Sequence, residues 1–240
     1  DPALRGRWHE LTRDGVVSAL GSSPEGLSTT EAERRLAVYG ANALPQPPGR
    51  SLAAIVLGQL KSPLIYLLLA AAAVSLVLAE YDDAGFIFLV LTINTAVGAA
   101  QEWRAEANTV ALRSAIATLA RVLRGGVVRR VDSKLLVPGD VVLLESGDRV
   151  PADLRLLDAA EAQADESSLT GESLPVDKAA GDALAPETQL ADRLTMLFAG
   201  STLQRGRVRA LVVATGSYTE LGAIAGALQT PSAPPPLTQR

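Results

Sequence analysis

The sequence predicts a membrane protein in three parts: a helical N-terminal segment, a transmembrane helical hairpin, and a mainly antiparallel β domain with flanking helices. Two adjacent uncharged apolar runs, residues 64–79 and 84–100, predict the hairpin. From residue 121 to 215 the apolar runs shorten to strand length and are punctuated by Gly- and Pro-containing turns, which predicts the β domain. Residues 8–42 place apolar side chains at helical spacing behind a capping pattern, which predicts the N-terminal helices.

In the N-terminal segment Val16, Val17 and Leu20 share one helical face. Ser28-Thr29-Thr30-Glu31 offers an N-cap ahead of Ala32, Leu36 and Val38, and Gly40 ends that helix before an exit rich in proline at Pro45, Pro47 and Pro48. The lone His9 has no Cys or second His beside it, so a structural role is expected rather than a ligand role.

Each apolar run falls short of the roughly 20 residues that cross a bilayer core, so helix is expected to continue into residues 52–61 and 101–106. The connection, Glu80-Tyr81-Asp82-Asp83, lacks Lys and Arg. Arg34, Arg35, Arg50 and Lys61 flank one side and Arg104, Arg113, Arg121 and Arg124 the other, which predicts cytosolic chain ends. A buried helical hairpin of a soluble protein is the alternative. Thr92, Asn94 and Thr95 are expected to serve helix packing, and neither span shows an internal carboxylate that would mark an ion site.

Beyond a charged stalk, residues 121–131 read as a hairpin around Gly125-Gly126. A turn at Pro138-Gly139-Asp140 and another at Gly147-Asp148 follow, and Leu154, Leu156 and Leu157 start the next strand. Residues 197–215 read as a second hairpin turning at Arg205-Gly206. A helix over 218–228, capped by Ser217 or Thr219, closes the domain.

Composition narrows the function classes. The chain has 240 residues, a net charge of -4 and 48% hydrophobic residues, but only 4% aromatics. Its mild acidity argues against nucleic acid, which demands clustered Lys and Arg. Absent cysteines exclude disulfides, thiolate metal sites and a cysteine nucleophile. The N-terminus is polar and charged, unlike a signal peptide. A start at Asp1 with one internal Met196 suggests a trimmed beginning, and the Pro-rich tail over 230–240 reads as a truncated linker. The expected organisation is residues 1–50 as a cytosolic helical segment, 51–103 as the hairpin with spans at about 64–79 and 84–101, 104–229 as stalk plus β domain, and 230–240 as linker.

Chemistry concentrates in DESSLTGESLPVDK, residues 165–178. Gly171 lets the backbone turn sharply and approach another surface, and the Thr170 and Ser173 hydroxyls can hold the loop by local hydrogen bonds. Glu172 is then presented outward, able to take a proton from water and aim that water at an electrophile.

PGDVV at 138–142, GDRVPAD at 147–153, DESSLTGES at 165–173, then Pro175, Val176 and Lys178, and TGSYTELG at 215–222 together resemble the actuator domain of P-type ATPases. FAGST at 198–202 departs slightly, with Ser201 where the family has Thr. WHEL, GLSTTEAERRL and YGANALP in the first 45 residues resemble the N-terminal segment of type-II cation-transporting ATPases, with a calcium-pump-like pattern.

The resemblance implies a distorted jelly-roll-like actuator whose TGES loop drives hydrolysis of an aspartyl phosphate and couples it to movement of membrane helices. Glu172 would position the hydrolytic water and Thr170, Gly171 and Ser173 would shape its loop. ATP and Mg2+ would bind in phosphorylation and nucleotide-binding domains outside this chain, and the preferred cargo would be Ca2+, with sodium, potassium, proton or magnesium left open. Partners would be the lipid bilayer, those domains and later membrane helices. The location would be a plasma or inner membrane, with N-terminus and actuator cytosolic. No Asp-Lys-Thr-Gly or GxxxxGK[ST] occurs, so no cofactor or metal site is assigned, and the chain alone is not expected to hydrolyse ATP or transport. Asp165 and Glu166 are expected to accept backbone N–H bonds around the loop. Asp148 and Asp153 are expected as turn residues, Pro151 as a bend, and Asp177-Lys178 as a surface pair. The alternatives are a non-enzymatic membrane-anchored β module that binds a partner and, more weakly, a self-contained hydrolase.

Overall fold

The computed structural model describes residues 7–44, 51–59, 61–115, 118–172 and 174–229. The chain divides into two compact units, Asp1–Pro45 with Ala117–Arg240, and Gln46–Ile116.

The second unit holds α3 (Leu52–Gln59), α4 (Pro63–Val77) and α5 (Tyr81–Ala115), with α3 and α4 both packed on α5. Pro63 suits the first turn of α4, where an N–H has no intrahelical acceptor. It equally cannot donate to a carbonyl four residues back, so α3 and α4 meet at a 66° bend instead of continuing as one helix. The expected helix in the flank 52–61 is present over Leu52–Gln59, but as a separate, bent helix and not as a continuation of α4. The 15 residues of α4 give only about 22 Å of helix, and a span of bilayer length needs the bent pair together. Within α5, Tyr81–Ala105 is long and apolar enough to cross a membrane, with a mean hydropathy of 1.6. Asp82 and Asp83 lie in its first turn, where carboxylates favour the positive end of the helix dipole, so the connection is shorter than the expected acidic loop. Thr92 donates its hydroxyl back to Phe88 O at 2.8 Å within α5, instead of reaching a neighbouring helix.

The first unit is built on one antiparallel sheet. Its strands are β1 (Leu119–Arg124), β2 (Val127–Asp132), β3 (Val141–Glu145), β4 (Asp153–Asp165), β5 (Val176–Lys178), β6 (Met196–Leu197) and β7 (Thr202–Ala214). Among the described residues they run in the order β2-β1-β3-β7-β4-β5, with β6 also on β4. The Gly125-Gly126 hairpin forms as expected, pairing Arg124 with Val127.

The second expected hairpin does not form. β7 passes straight through Arg205-Gly206 as one strand and pairs along both β3 and β4. Gly206 is needed for close approach: it lies at φ 81°, opposite an irregular register in β4 around Glu161, and a Cβ there would strike the carbonyl oxygens of Ala160 and Glu161. An isolated glycine in a strand pattern marks such a bulge as readily as a turn.

Both faces are buried in the middle of the sheet, which is why residues 141–144 of β3 and 210–214 of β7 read as unbroken apolar runs. Val142, Leu144, Leu154, Leu156, Ala210 and Val212 fill one core. The residues between them on the same strands, Val141, Leu211 and Val213, join Leu157, Met196 and Phe198 in a second core. That second core is completed by the N-terminal segment, through Trp8, Val16 and Leu20. Here α1 (Arg13–Ala19) is capped by Thr12, and α2 (Thr29–Tyr39) by the Ser28 hydroxyl at its start and Gly40 at its end, as expected.

Three polar side chains fasten this segment. Arg35 on α2 donates to Leu20 O at 2.7 Å and Pro138 O at 2.9 Å. Asn42 donates to Ser133 O and Pro151 O, at 3.0 and 2.8 Å, and accepts the Gly216 N–H at 2.8 Å. Arg155, fully buried inside β4, reaches Leu11 O at 3.1 Å and Gly181 O at 2.9 Å, and burial pulls its guanidinium pKa down. His9 is buried, and its carbonyl accepts the Leu184 N–H at 2.7 Å.

Candidate functional site

The geometry of the loop begins at its roots. β4 and β5 pair through Ala164 and Val176, and everything between them projects from that ladder. Asp165 Oδ1 accepts the Ser167 N–H at 3.0 Å, and bonds from the Ser167 hydroxyl and N–H hold its carboxyl below the usual range. This satisfies the first turn of α6 (Ser167–Thr170), a single helical turn. Gly171 ends the turn at φ 76°, the left-handed conformation that L side chains resist, and its N–H returns to Ser167 O at 3.0 Å.

Glu172 follows this reversal and is exposed. Thr170 steers it: the Thr170 hydroxyl donates to Glu166 O at 3.2 Å and accepts the Glu172 N–H at 3.3 Å. Ser173 lies outside the described residues. Among the described residues nothing lies within 4 Å of where a Gly171 Cβ would sit, so that side of the loop is open. Within the described residues the glycine acts through its backbone conformation.

Two expectations around the loop are corrected. Glu166 does not accept a backbone N–H with its carboxylate, and Lys178 is not a surface residue. Their side chains are both 0% exposed and form an ion pair at 2.8 Å. Burial pushes the Glu166 carboxyl up and the Lys178 ammonium down, and each opposes that shift in the other. The signal missed in the sequence was the strand alternation of β5, whose third residue points inward. Asp177, its neighbour, is exposed as expected and accepts from Gln163 at 2.8 Å.

Asp148 is a turn residue, with Oδ2 accepting the Glu145 N–H at 2.8 Å and Arg121 at 3.0 Å. Asp153 is not. It is buried at the start of β4 and accepts two N–H groups at 2.8 Å, from Ala199 and from Glu220 at the first turn of α7 (Glu220–Gln229). It thereby joins strand, turn and helix, while Thr219 caps α7 by accepting the Gly222 N–H at 2.9 Å. Ser201 is buried, with its hydroxyl donating to Phe198 O at 2.6 Å.

Burial raises the Asp153 pKa from 3.8 to about 7, against the pull of its two N–H bonds. The folded state therefore holds its proton to higher pH than the unfolded chain does. Its stability contribution is full below pH 3.8 and is lost as pH rises through about 7. Asp153→Asn should flatten this dependence in thermal unfolding followed from pH 5 to 8. It should also cost about 1–3 kcal/mol, because the amide NH2 faces one of two N–H donors.

Residues 114–229 match the family described as P-type ATPase actuator domain, and residues 8–75 the family described as cation transporter/ATPase, N-terminus. The chain is 45% identical over 218 residues to the "Probable cation-transporting ATPase F" of Mycobacterium tuberculosis, covering 90% of this chain and 24% of that protein. It is 40% identical over 218 residues to a calcium-transporting ATPase of Listeria monocytogenes, covering 91% and 25%. Over 219 residues it is 39% identical to a sodium/potassium exporting P-type ATPase of Schizosaccharomyces pombe, covering 90% and 21%. It thus spans about a quarter of the length of these relatives.

Proposed function

The chain carries the N-terminal region and the actuator domain of cation-transporting P-type ATPases, and from that premise we propose that it is the N-terminal part of an ATP-driven pump in which Glu172 positions the water that hydrolyses an aspartyl phosphate. The observation that carries this is the placement of Glu172: an exposed carboxylate beyond a left-handed glycine, on a loop fixed at both roots. An acyl phosphate stores the free energy of ATP, and releasing it on cue requires a base that arrives from elsewhere. Glu172 accepts one proton as the water oxygen bonds to phosphorus, and the bond from phosphorus to the aspartate oxygen breaks. Thr170 and Gly171 set the direction in which the carboxylate points, with Ser173 completing the loop.

ATP, with Mg2+, would transfer its γ-phosphoryl group to the aspartate and leave as ADP in phosphorylation and nucleotide-binding domains outside this chain. No group of three or more acidic or His side chains among the described residues is arranged to hold a metal, so none is assigned here. The bent pair α3–α4 and the apolar part of α5 support a position in a lipid bilayer, and the positive flanks favour a cytosolic N-terminus and actuator. Calcium is the proposed cargo, on the pattern of the WHEL and GLSTTEAERRL segments and the 40% identity to the Listeria calcium-transporting protein.

The test is phosphorylation of the full-length protein by labelled ATP. An acid-stable, hydroxylamine-labile phosphoprotein should form in the presence of Ca2+ and not with Na+ or K+ alone. Formation with Na+ or K+ only would replace the cargo, and no phosphoprotein under any cation would sink the pump assignment.

A further inference from the structure

The loop that carries Glu172 leaves the β4–β5 ladder at Ala164 and rejoins it at Val176, while Asp165 still pairs with Thr202 of β7. Beyond that last rung, backbone pairing no longer fixes the distance between its two limbs. Glu166, one residue past the end of β4, reaches back to Lys178, which stands opposite Ala162 inside the ladder, and the two meet at 2.8 Å with both side chains fully buried. Lys178 is further seated on the core: its Nζ lies 5.6 Å from the Phe198 ring centroid and 3.5 Å from Arg193 O. The other end of the bridge is continuous with the loop. Glu166 O accepts the N–H groups of Leu169 at 2.8 Å and Thr170 at 3.0 Å, together with the Thr170 hydroxyl at 3.2 Å. That hydroxyl in turn receives the Glu172 N–H.

Resting on the pump reading, we infer that Glu166 and Lys178 are positioning residues for phosphoenzyme hydrolysis, an internal clamp that sets where Glu172 stands when the loop reaches its target. A buried ion pair is weak evidence of stabilisation, because apolar residues of similar volume hold a core as well. What an ion pair adds is direction: one separation and one orientation satisfy it. A misplacement of about 1 Å in a catalytic group can cost about 100-fold in rate. The clamp therefore acts on the position of the carboxylate while the fold itself can do without it.

The experiment separates position from stability in the full-length protein, using Lys178→Met and the double variant Glu166→Gln/Lys178→Met. The single change strands a buried carboxyl and should lower the melting temperature. The double change removes that charge and should recover most of the loss. Phosphoenzyme decay after a chase with unlabelled ATP should stay slowed by about 10-fold or more in both, while phosphorylation by ATP stays within about twofold of the unaltered protein. Decay returning to the unaltered rate in the double variant, together with the melting temperature, would assign the pair to stability alone and overturn the clamp. The unaltered protein serves as the separate check on the pump reading, since that reading fails only if no phosphoenzyme forms at all.

Discussion

Glu172→Gln in the full-length protein is expected to trap the phosphoenzyme, slowing its hydrolysis by about 10²- to 10⁴-fold, the range that a positioned general base contributes. Glutamine keeps the length, shape and exposure of the side chain and can still hydrogen-bond a water. It cannot take the proton that the water must lose. The loop geometry should be unaffected, because the residue is held through its backbone N–H to Thr170 and not through its carboxylate. Phosphorylation by ATP should continue, so labelled protein should accumulate and persist through a chase. Normal turnover in this variant would remove Glu172 from the chemistry and leave the Thr-Gly-Glu-Ser stretch as a surface turn.

The largest effect on stability is expected from Arg124→Met. Arg124 and Asp140 pair through two bonds, of 2.8 and 2.6 Å, with side chains 8% and 0% exposed. Asp140 also accepts the Val137 N–H at 3.0 Å, which fixes the Pro138-Gly139 turn between β2 and β3. Removing the guanidinium leaves the carboxylate buried with a single donor, and breaking such a pair from one side costs about 3–5 kcal/mol. Denaturant-titrated proteolysis of the β domain should report that loss. Adding Asp140→Asn should return part of it, since the amide removes the stranded charge. A single variant as stable as the unaltered chain would show that water or a shifted side chain replaces the arginine.

Elements whose cause lies within a few residues were legible. Ser28 and Gly40 bracket α2 because capping bonds reach three or four positions along the chain. The Gly125-Gly126 hairpin and the helix over 220–229 followed for the same reason. The loop geometry was legible too, because Gly171 and Thr170 act on Glu172 through the local backbone. Misreadings arose where a local signal has two tertiary meanings. Gly206 was read as a turn, yet the sheet uses it to let β4 press against β7. The flank of the first span was read as continuous helix, yet Pro63 bends it.

The sequence by itself determined the two apolar spans, the strand-rich domain, the capped helices and the outward carboxylate, since each rests on periodicity or on bonds between near neighbours. Only the tertiary structure decided which charges are inside. Lys178 meets Glu166 across 12 residues, Asp153 meets Ala199 across 46, and Arg155 meets Leu11 across 144. The N-terminal helices likewise complete a core made by strands more than a hundred residues later. The physical reason is register. Strand pairing chooses which of two alternating faces each residue occupies and what lies opposite, and a shift of one residue would reverse every one of those choices.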